Sequence, residues 1–308
     1  MGEVSKLKAW LTLSRLPFLT VAVFPFCLGT LMAYKLGGIF SMPVFLLSMA
    51  ALILIMLATH YGGEYYDLEG DRLSAELERN QFSGGTQVIV EGALPRIYAL
   101  AACYTALALA GVIGLLLQFY YKTGVMTIPL GLLGMLAGVF YSMPPVRLVG
   151  RGVGEVLIGV CYGWMPVAIG YYLQVGHFSA DVAAVSVPIA FAIFNVILIN
   201  EFPDYPADKQ TGKRNLVVRF GKEGAAKMYA AAVFLAWLGF AGAVIYADVP
   251  RMAFWFYLPI LLLSGVLGVL MLRGRFSDKA LLEKMCGLTI AVDLGTALAY
   301  ILGFAFLG

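Results

Sequence analysis

Nine continuous apolar runs leave this chain little choice of fold. They occupy residues 16–34, 44–60, 97–119, 125–141, 153–173, 182–200, 225–246, 254–272 and 285–307. A helix crossing the ~30 Å hydrocarbon core of a bilayer needs about 20 such residues. Inside lipid no water meets a bare amide, so only helices and closed barrels satisfy the backbone. The strict apolar-polar alternation of barrel strands is missing, so the runs predict helices. Only 13% of the 308 residues are charged and the mean hydropathy is +0.87, whereas soluble domains carry about 25% charged residues. The expectation is one all-α integral membrane domain over residues 1–308, a bundle of nine transmembrane helices. The first run follows Lys6, Lys8 and Arg15 as a signal peptide would, but no small-residue cleavage site follows, so it is read as the first membrane helix.

The connectors between runs sort the positive charges. Seventeen of the 21 Lys and Arg fall before the first run or in alternate connectors after it, an eighteenth, Lys227, stands at the adjoining end of the seventh run, and only Lys35, Lys122 and Arg251 fall in the other connectors. By the positive-inside rule the N-terminus is cytoplasmic in a cell membrane and the C-terminus lies outside. The net charge of +3 carries no nucleic-acid signal, because it is sorted by membrane side, and no nucleic-acid partner is expected. Cys27, Cys103, Cys161 and Cys286 stand alone within apolar runs and read as packing residues. Two histidines, His60 and His177, exclude His-rich zinc or di-iron chemistry. A Ser-His-Asp hydrolase is excluded unless His60 serves, and the plainer reading of His60 is a polar residue at a helix end.

Eleven of the 18 acids gather in two long connectors on the cytoplasmic side, 64–91 and 201–223. The first holds Glu64, Asp67 and Asp71 at offsets of three and four, which on a helix share one face. The second holds Asn200, Asp204 and Asp208 at steps of four, with Pro203 and Pro206 predicting partial unwinding. Like-charged carboxylates need cations or protons to coexist. Hard oxygen donors suit Mg²⁺, which bridges carboxylates to phosphorylated substrates. Arg72 and Arg79 follow the first motif; Lys209, Lys213, Arg214 and Arg219 follow the second. Basic side chains beside such a cation make a diphosphate site. The competing reading is a set of solvated salt bridges, which two equivalent D-x-x-x-D motifs disfavour.

These residues resemble the UbiA superfamily of intramembrane prenyltransferases, nine-helix bundles with aspartate-rich motifs after helices 2 and 6. Asp67, Asp71, Asn200, Asp204 and Asp208 match the family motifs, while Gly63 and Glu64 stand where Asn and Asp are usual, which removes one amide and leaves Glu64 a ligand or substrate contact. The resemblance implies that Asp67, Asp71, Asp204 and Asp208 hold Mg²⁺ on an isoprenyl diphosphate, with Arg147 at the end of helix 4 as a basic diphosphate contact, and that an aromatic acceptor is prenylated. Segments 83–85, 91–95, 141–147, 152–155 and 212–221 are similar to the branch acting on 1,4-dihydroxy-2-naphthoate in menaquinone synthesis. Tyr141, like Tyr65, Tyr66, Tyr162, Tyr171 and Tyr172, offers a π-face to a cation, and the Tyr- and Gly-rich stretches 61–66 and 138–141 offer a flat slot. Glu155 reads as a helix-start acid, and Asp293, lone within the last run, as a packing or cavity residue. A cation transporter would place its acids nearer the midplane in broken helices. Prenyl transfer to 4-hydroxybenzoate, homogentisate or a glycerol phosphate lipid also fits the motifs, whereas the D-G-x-x-A-R pattern of CDP-alcohol phosphotransferases is absent.

Overall fold

A computed structural model describes residues 3–77 and 79–306, without the side chains of residues 3–5; Glu78 of the first acidic connector and residue 307 of the last run lie outside the described residues. The described residues form helices, turns and loops. In order they are α1 (Glu3–Leu13), α2 (Leu16–Gly37), α3 (Met42–Tyr66), α4 (Leu68–Glu76), α5 (Arg96–Leu115, extended by a π-turn to Tyr120), α6 (Thr127–Ser142), α7 (Gly154–Ile158), α8 (Met165–Val175), α9 (Ala180–Gln210), α10 (Leu216–Tyr246), α11 (Met252–Leu272) and α12 (Lys279–Ala305). A π-helical stretch, Gly159–Trp164, joins α7 and α8 into one continuous rod. Every apolar run falls on this set, and eight rods are long and apolar enough to cross a membrane. The remaining one, α6, has 16 residues, about 24 Å of helix.

The bundle is tightened where side chains are smallest. Gly29 of α2 and Gly170 of α8 face the partner helix so closely that a methyl group at either would overlap a carbonyl, of Val167 or Phe26. Between lipid tails there is little hydrophobic drive for helices to associate, so this close backbone approach carries the packing. At the end of the bundle formed by α10, α11 and α12, Phe240 stacks on Tyr257 (3.8 Å between ring centres) and on Tyr300 (4.8 Å). Large apolar side chains such as Phe119, Phe234, Ile245, Trp255 and Leu262 point outward, where lipid meets them. All four cysteines are free and at least partly buried.

Two expectations change. The prolines of the second motif do not unwind it, because α9 runs unbroken from Ala180 to Gln210 with Pro188, Pro203 and Pro206 inside. Pro203 frees the carbonyl of Ile199 one turn earlier, and Cys286 Sγ lies 4.0 Å from that oxygen as a weak donor. The first motif, in turn, spans a junction rather than one helix, since Asp67 leaves helical geometry between α3 and α4. Hydrogen bonds from Asp67 N–H to Gly63 and from Asp71 N–H to Asp67 hold the two short of a full break.

Candidate active site

The ends of α3, α4, α6 and α9 converge on a cavity of about 250 Å³, lined among others by Asp67, Asp71, Tyr141, Asn200, Asp204, Asp208 and Lys213. The second motif keeps one face of α9, so Asn200, Asp204 and Asp208 turn the same way. Asp67 accepts from Ser142 Oγ (2.7 Å) and pairs with Arg147 (3.2 Å). Asp208 accepts from Asn215 Nδ2 (2.8 Å) and pairs with Lys213 Nζ (3.2 Å). Asp204 is held by neutral groups, Ser74 Oγ at 2.6 Å and the Gly84 amide at 3.1 Å. No donor meets the Asp71 carboxylate among the described residues, and Gln87 instead binds its main-chain oxygen (3.1 Å). Burial, reinforced by Glu64 and Asp67, pushes Asp71 up to about 7, with Lys213 and Arg15 pulling the other way. Burial pulls the Lys213 ammonium down, but Asp67, Asp208, Asp71 and Asp204 outweigh it and hold it above the ordinary lysine value.

The loop after α4 closes over these acids because of two glycines. Gly84 and Gly85 both have positive φ (68° and 66°), and an added Cβ would strike Ser74 at the first and Asp71 at the second. Two arginines adopt the same left-handed backbone, Arg15 (φ 47°) and Arg147 (φ 43°), and each is ion-paired with an acid of the first motif. A non-glycine residue there is uncommon and is held by its surroundings.

The other residues expected at the site divide in two. Glu64 is turned aside, its oxygens taken by Arg15 Nη2 (2.6 Å), the Thr86 amide (2.8 Å) and Thr86 Oγ1 (2.9 Å). Arg72, Arg79, Lys209 and Arg214 are exposed and outside the cavity lining. Arg79 reaches the Gly85 carbonyl (3.4 Å), and Lys209 lies over the Tyr205 ring (5.9 Å). Tyr162 lines the cavity, Tyr65 carries Arg96 on its face (4.0 Å), and Asp293 is buried in α12 away from the cavity. Ser74, Thr86, Ser142 and Asn215 went unnoticed in the sequence as site residues; Asn215 alone had a signal, since it follows Lys213 and caps α10 by accepting from the Val218 amide (2.9 Å).

A second cavity of about 340 Å³ adjoins the first, with Thr59, Tyr141, Ile158 and Tyr162 lining both. Its remaining walls are almost wholly apolar, from α3, α5, α6 and α8. An acidic chamber thus adjoins an apolar one within a bundle of membrane-length helices. Comparison with known proteins supplies the family. Residues 22–286 match the UbiA prenyltransferase family, and the chain belongs to it; it is an intramembrane prenyltransferase, which sets the transporter reading aside. One relative, the 1,4-dihydroxy-2-naphthoate octaprenyltransferase of Bacillus subtilis, is 28% identical over 76% of this chain and 72% of its own length. The 2-carboxy-1,4-naphthoquinone phytyltransferase of Synechocystis is 25% identical over 70% of this chain and 66% of its own. A solved UbiA homolog from Archaeoglobus fulgidus bound to GPP and Mg²⁺ shares the fold with a TM-score of 0.62, 18% identity and coverage of 95% of this chain and 99% of that one.

Proposed function

We propose that this enzyme transfers a prenyl chain from an allylic diphosphate to 1,4-dihydroxy-2-naphthoate, with Mg²⁺ as its cofactor, as one domain over residues 1–308. The observation that supports the reading is that the two cavities share Thr59, Tyr141, Ile158 and Tyr162, an arrangement that suits a diphosphate among the charged groups with its chain in hydrocarbon. The Bacillus relative's name supports the acceptor.

Among the described residues no three His, Cys, Asp or Glu side chains form a ready-made metal site. The donor chemistry nevertheless fits a hard divalent cation, because Asp71 and Asp204 lack a cationic partner while Asp67 and Asp208 have one each. In this reading Asp71 and Asp204, joined by Asp67 and Asp208, hold Mg²⁺, which supplies Lewis-acid stabilisation of the leaving diphosphate. Lys213 and Arg147 add charge-assisted contacts to the diphosphate, with Asn200 beside them. Tyr141 and Tyr162 stand at the junction of the chambers, where their rings stabilise an allylic cation and the apolar walls keep water away.

The same reading has nine crossings with the N-terminus inside. Four rods, α5, α6, α7–α8 and α9, separate the end of α3 from the end of α9. The Ser74–Asp204 hydrogen bond joins those two ends, and an even number of crossings is what brings them to one face. This supports counting α6 as a crossing despite its length.

The test is an assay of purified protein with a long prenyl diphosphate and Mg²⁺, running dihydroxynaphthoate beside 4-hydroxybenzoate, homogentisate and geranylgeranylglyceryl phosphate. Prenylated naphthoquinol, with carbon dioxide and diphosphate released together, is expected. Prenylation of another acceptor but not of dihydroxynaphthoate would overturn the acceptor assignment.

A further inference from the structure

His60 lines the polar cavity yet takes part in none of the ion pairs that organise it. It sits on α3 seven residues before Asp67, two turns or about 10 Å along the axis and on the same face. Between them on that face stands Gly63, where an added Cβ would find only Ser142 Oγ, at 3.7 Å. A slot therefore opens along α3 from the imidazole to the acids, at a depth that suits a flat ring lying next to a bound diphosphate.

The protonation of the ring is set by its neighbour. Nδ1 lies 3.1 Å from the Ser14 carbonyl oxygen. A carbonyl only accepts, so Nδ1 carries the hydrogen and the neutral ring has its lone pair on Nε2. Among the described residues Nε2 has no partner, and it is not among the sealed, unpartnered atoms of the interior. Beside it Arg15 is bound to Glu64 at 2.6 Å. His60 is left as the imidazole base open to the cavity.

Resting on the acceptor reading above, we propose that His60 Nε2 binds the acceptor hydroxyl next to the carbon that is prenylated and takes its proton as the new bond forms. The allylic C–O bond breaks with its electron pair on the diphosphate, and the ring's π pair makes the new C–C bond at the carbon bearing the carboxylate. The adjacent hydroxyl becomes a carbonyl as its proton passes to Nε2. The ring is now a β-keto carboxylate, so the C–C bond to the carboxylate breaks, carbon dioxide leaves, and the electron pair runs into the carbonyl oxygen. Nε2 returns its proton to that oxygen, giving the quinol and a neutral imidazole. Without a proton acceptor at this hydroxyl the carbonyl that drives decarboxylation does not form.

The test uses full-length His60→Ala and His60→Gln in lipid nanodiscs, the second filling the space without a group that takes up a proton. Both should lose transfer by on the order of a hundredfold, the usual scale for a positioned acid-base group, with KM for the prenyl diphosphate unchanged. Added imidazole should restore part of the rate to His60→Ala and nothing to the wild type. Replacing the acceptor hydroxyl by a methyl ether should slow the wild type and leave His60→Gln no slower than before. A near-normal rate in His60→Gln, or an equal loss with the methyl ether in both proteins, would overturn the role. A wild type that prenylates no hydroxylated aromatic would overturn the acceptor reading and this role together, whereas a wild type that does so beside an unimpaired His60→Gln overturns this role alone.

Discussion

Asp71 and Glu64 are buried acids of one motif whose oxygens meet different partners. Glu64, 3% exposed, receives a guanidinium and two donors from Thr86, while Asp71 receives no donor and stays protonated up to about 7 because burial and neighbouring acids disfavour its charge. Asp71→Asn and Asp204→Asn should each lower turnover by on the order of a hundredfold, since a lost electrostatic catalytic contact is worth ~3 kcal/mol, and Asp71→Asn, whose carboxylate meets no donor, should do so with little change in thermal midpoint. Glu64→Gln should do the reverse. It sets an amide against Arg15 and the Thr86 donors, where hydrogen bonds to a charged group are worth ~2 kcal/mol, and so lowers the midpoint while the Mg²⁺ concentration for half-maximal rate stays put. Melting curves in detergent and Mg²⁺ titrations of activity separate the two, and a Glu64→Gln enzyme needing far more Mg²⁺ would return Glu64 to the metal. The four aspartates were legible because their spacing of four repeats along a helix face. Ser74 and Thr86 were not, since their partners lie 130 and 22 residues away in sequence and packing alone selects them.

At the scale of elements, the turn between α9 and α10 places an ammonium that faces both acidic motifs. It is pinned at its far end, where Glu155 Oε1 accepts from the Leu216 amide (2.6 Å), and Arg214 N–H donates to Gly150 (3.1 Å). Pinning delivers Lys213 over Gly70 of α4, whose added Cβ would lie 3.6 Å from Nζ, so one ammonium faces both motifs at once. A lysine so placed is the acids' own counter-cation; under the function proposed above, a divalent metal and a diphosphate would exchange its partners, the ammonium passing from carboxylates to phosphate oxygens. Lys213→Met should therefore bind Mn²⁺ more tightly than wild type in the absence of substrate, read by the loss of the free Mn²⁺ spectrum, while its KM for the prenyl diphosphate rises. Its thermal midpoint should fall in EDTA and recover with Mg²⁺ by more than the wild type gains, because a ligand bound only to the folded state stabilises it. Weaker Mn²⁺ binding in the variant would show Lys213 to be no counter-cation. The sequence marked this turn as basic, but it could not separate Lys213 from the exposed Lys209 and Arg214, because exposure depends on how Glu155 and Gly150 anchor the turn.

The whole molecule sets a charged chamber beside an apolar one among membrane-length helices, and both halves of that design are open to test. Cysteines at Ile39 and Gln210, both exposed, should label from opposite sides of sealed vesicles if nine crossings place the acids inside; labelling of both from one side would undo the topology. The apolar runs made the bundle legible, since hydrocarbon admits few alternatives, but the tunnel was not, because its walls are gaps left by small residues on four helices. Along α6, Gly138 sits against Thr59, where a Cβ would collide, and Gly131, seven residues further from Tyr141, faces open space with nothing within 4 Å. Gly131 lies ten residues before Tyr141, about 15 Å along the helix, so it borders the part of the tunnel that only a long chain reaches. A Cβ added at Gly131 meets nothing, and Gly131→Leu extends a side chain into that space. It should cut kcat/KM for a long prenyl diphosphate by tenfold or so, the discrimination a few methylenes supply in an apolar pocket, and leave geranyl diphosphate as good a donor as before. An undiminished rate with the long donor would mean that the chain takes another path, out between the helices into lipid before it reaches Gly131, and equal losses for both donors would mean that the substitution disturbs the site rather than the chain's path.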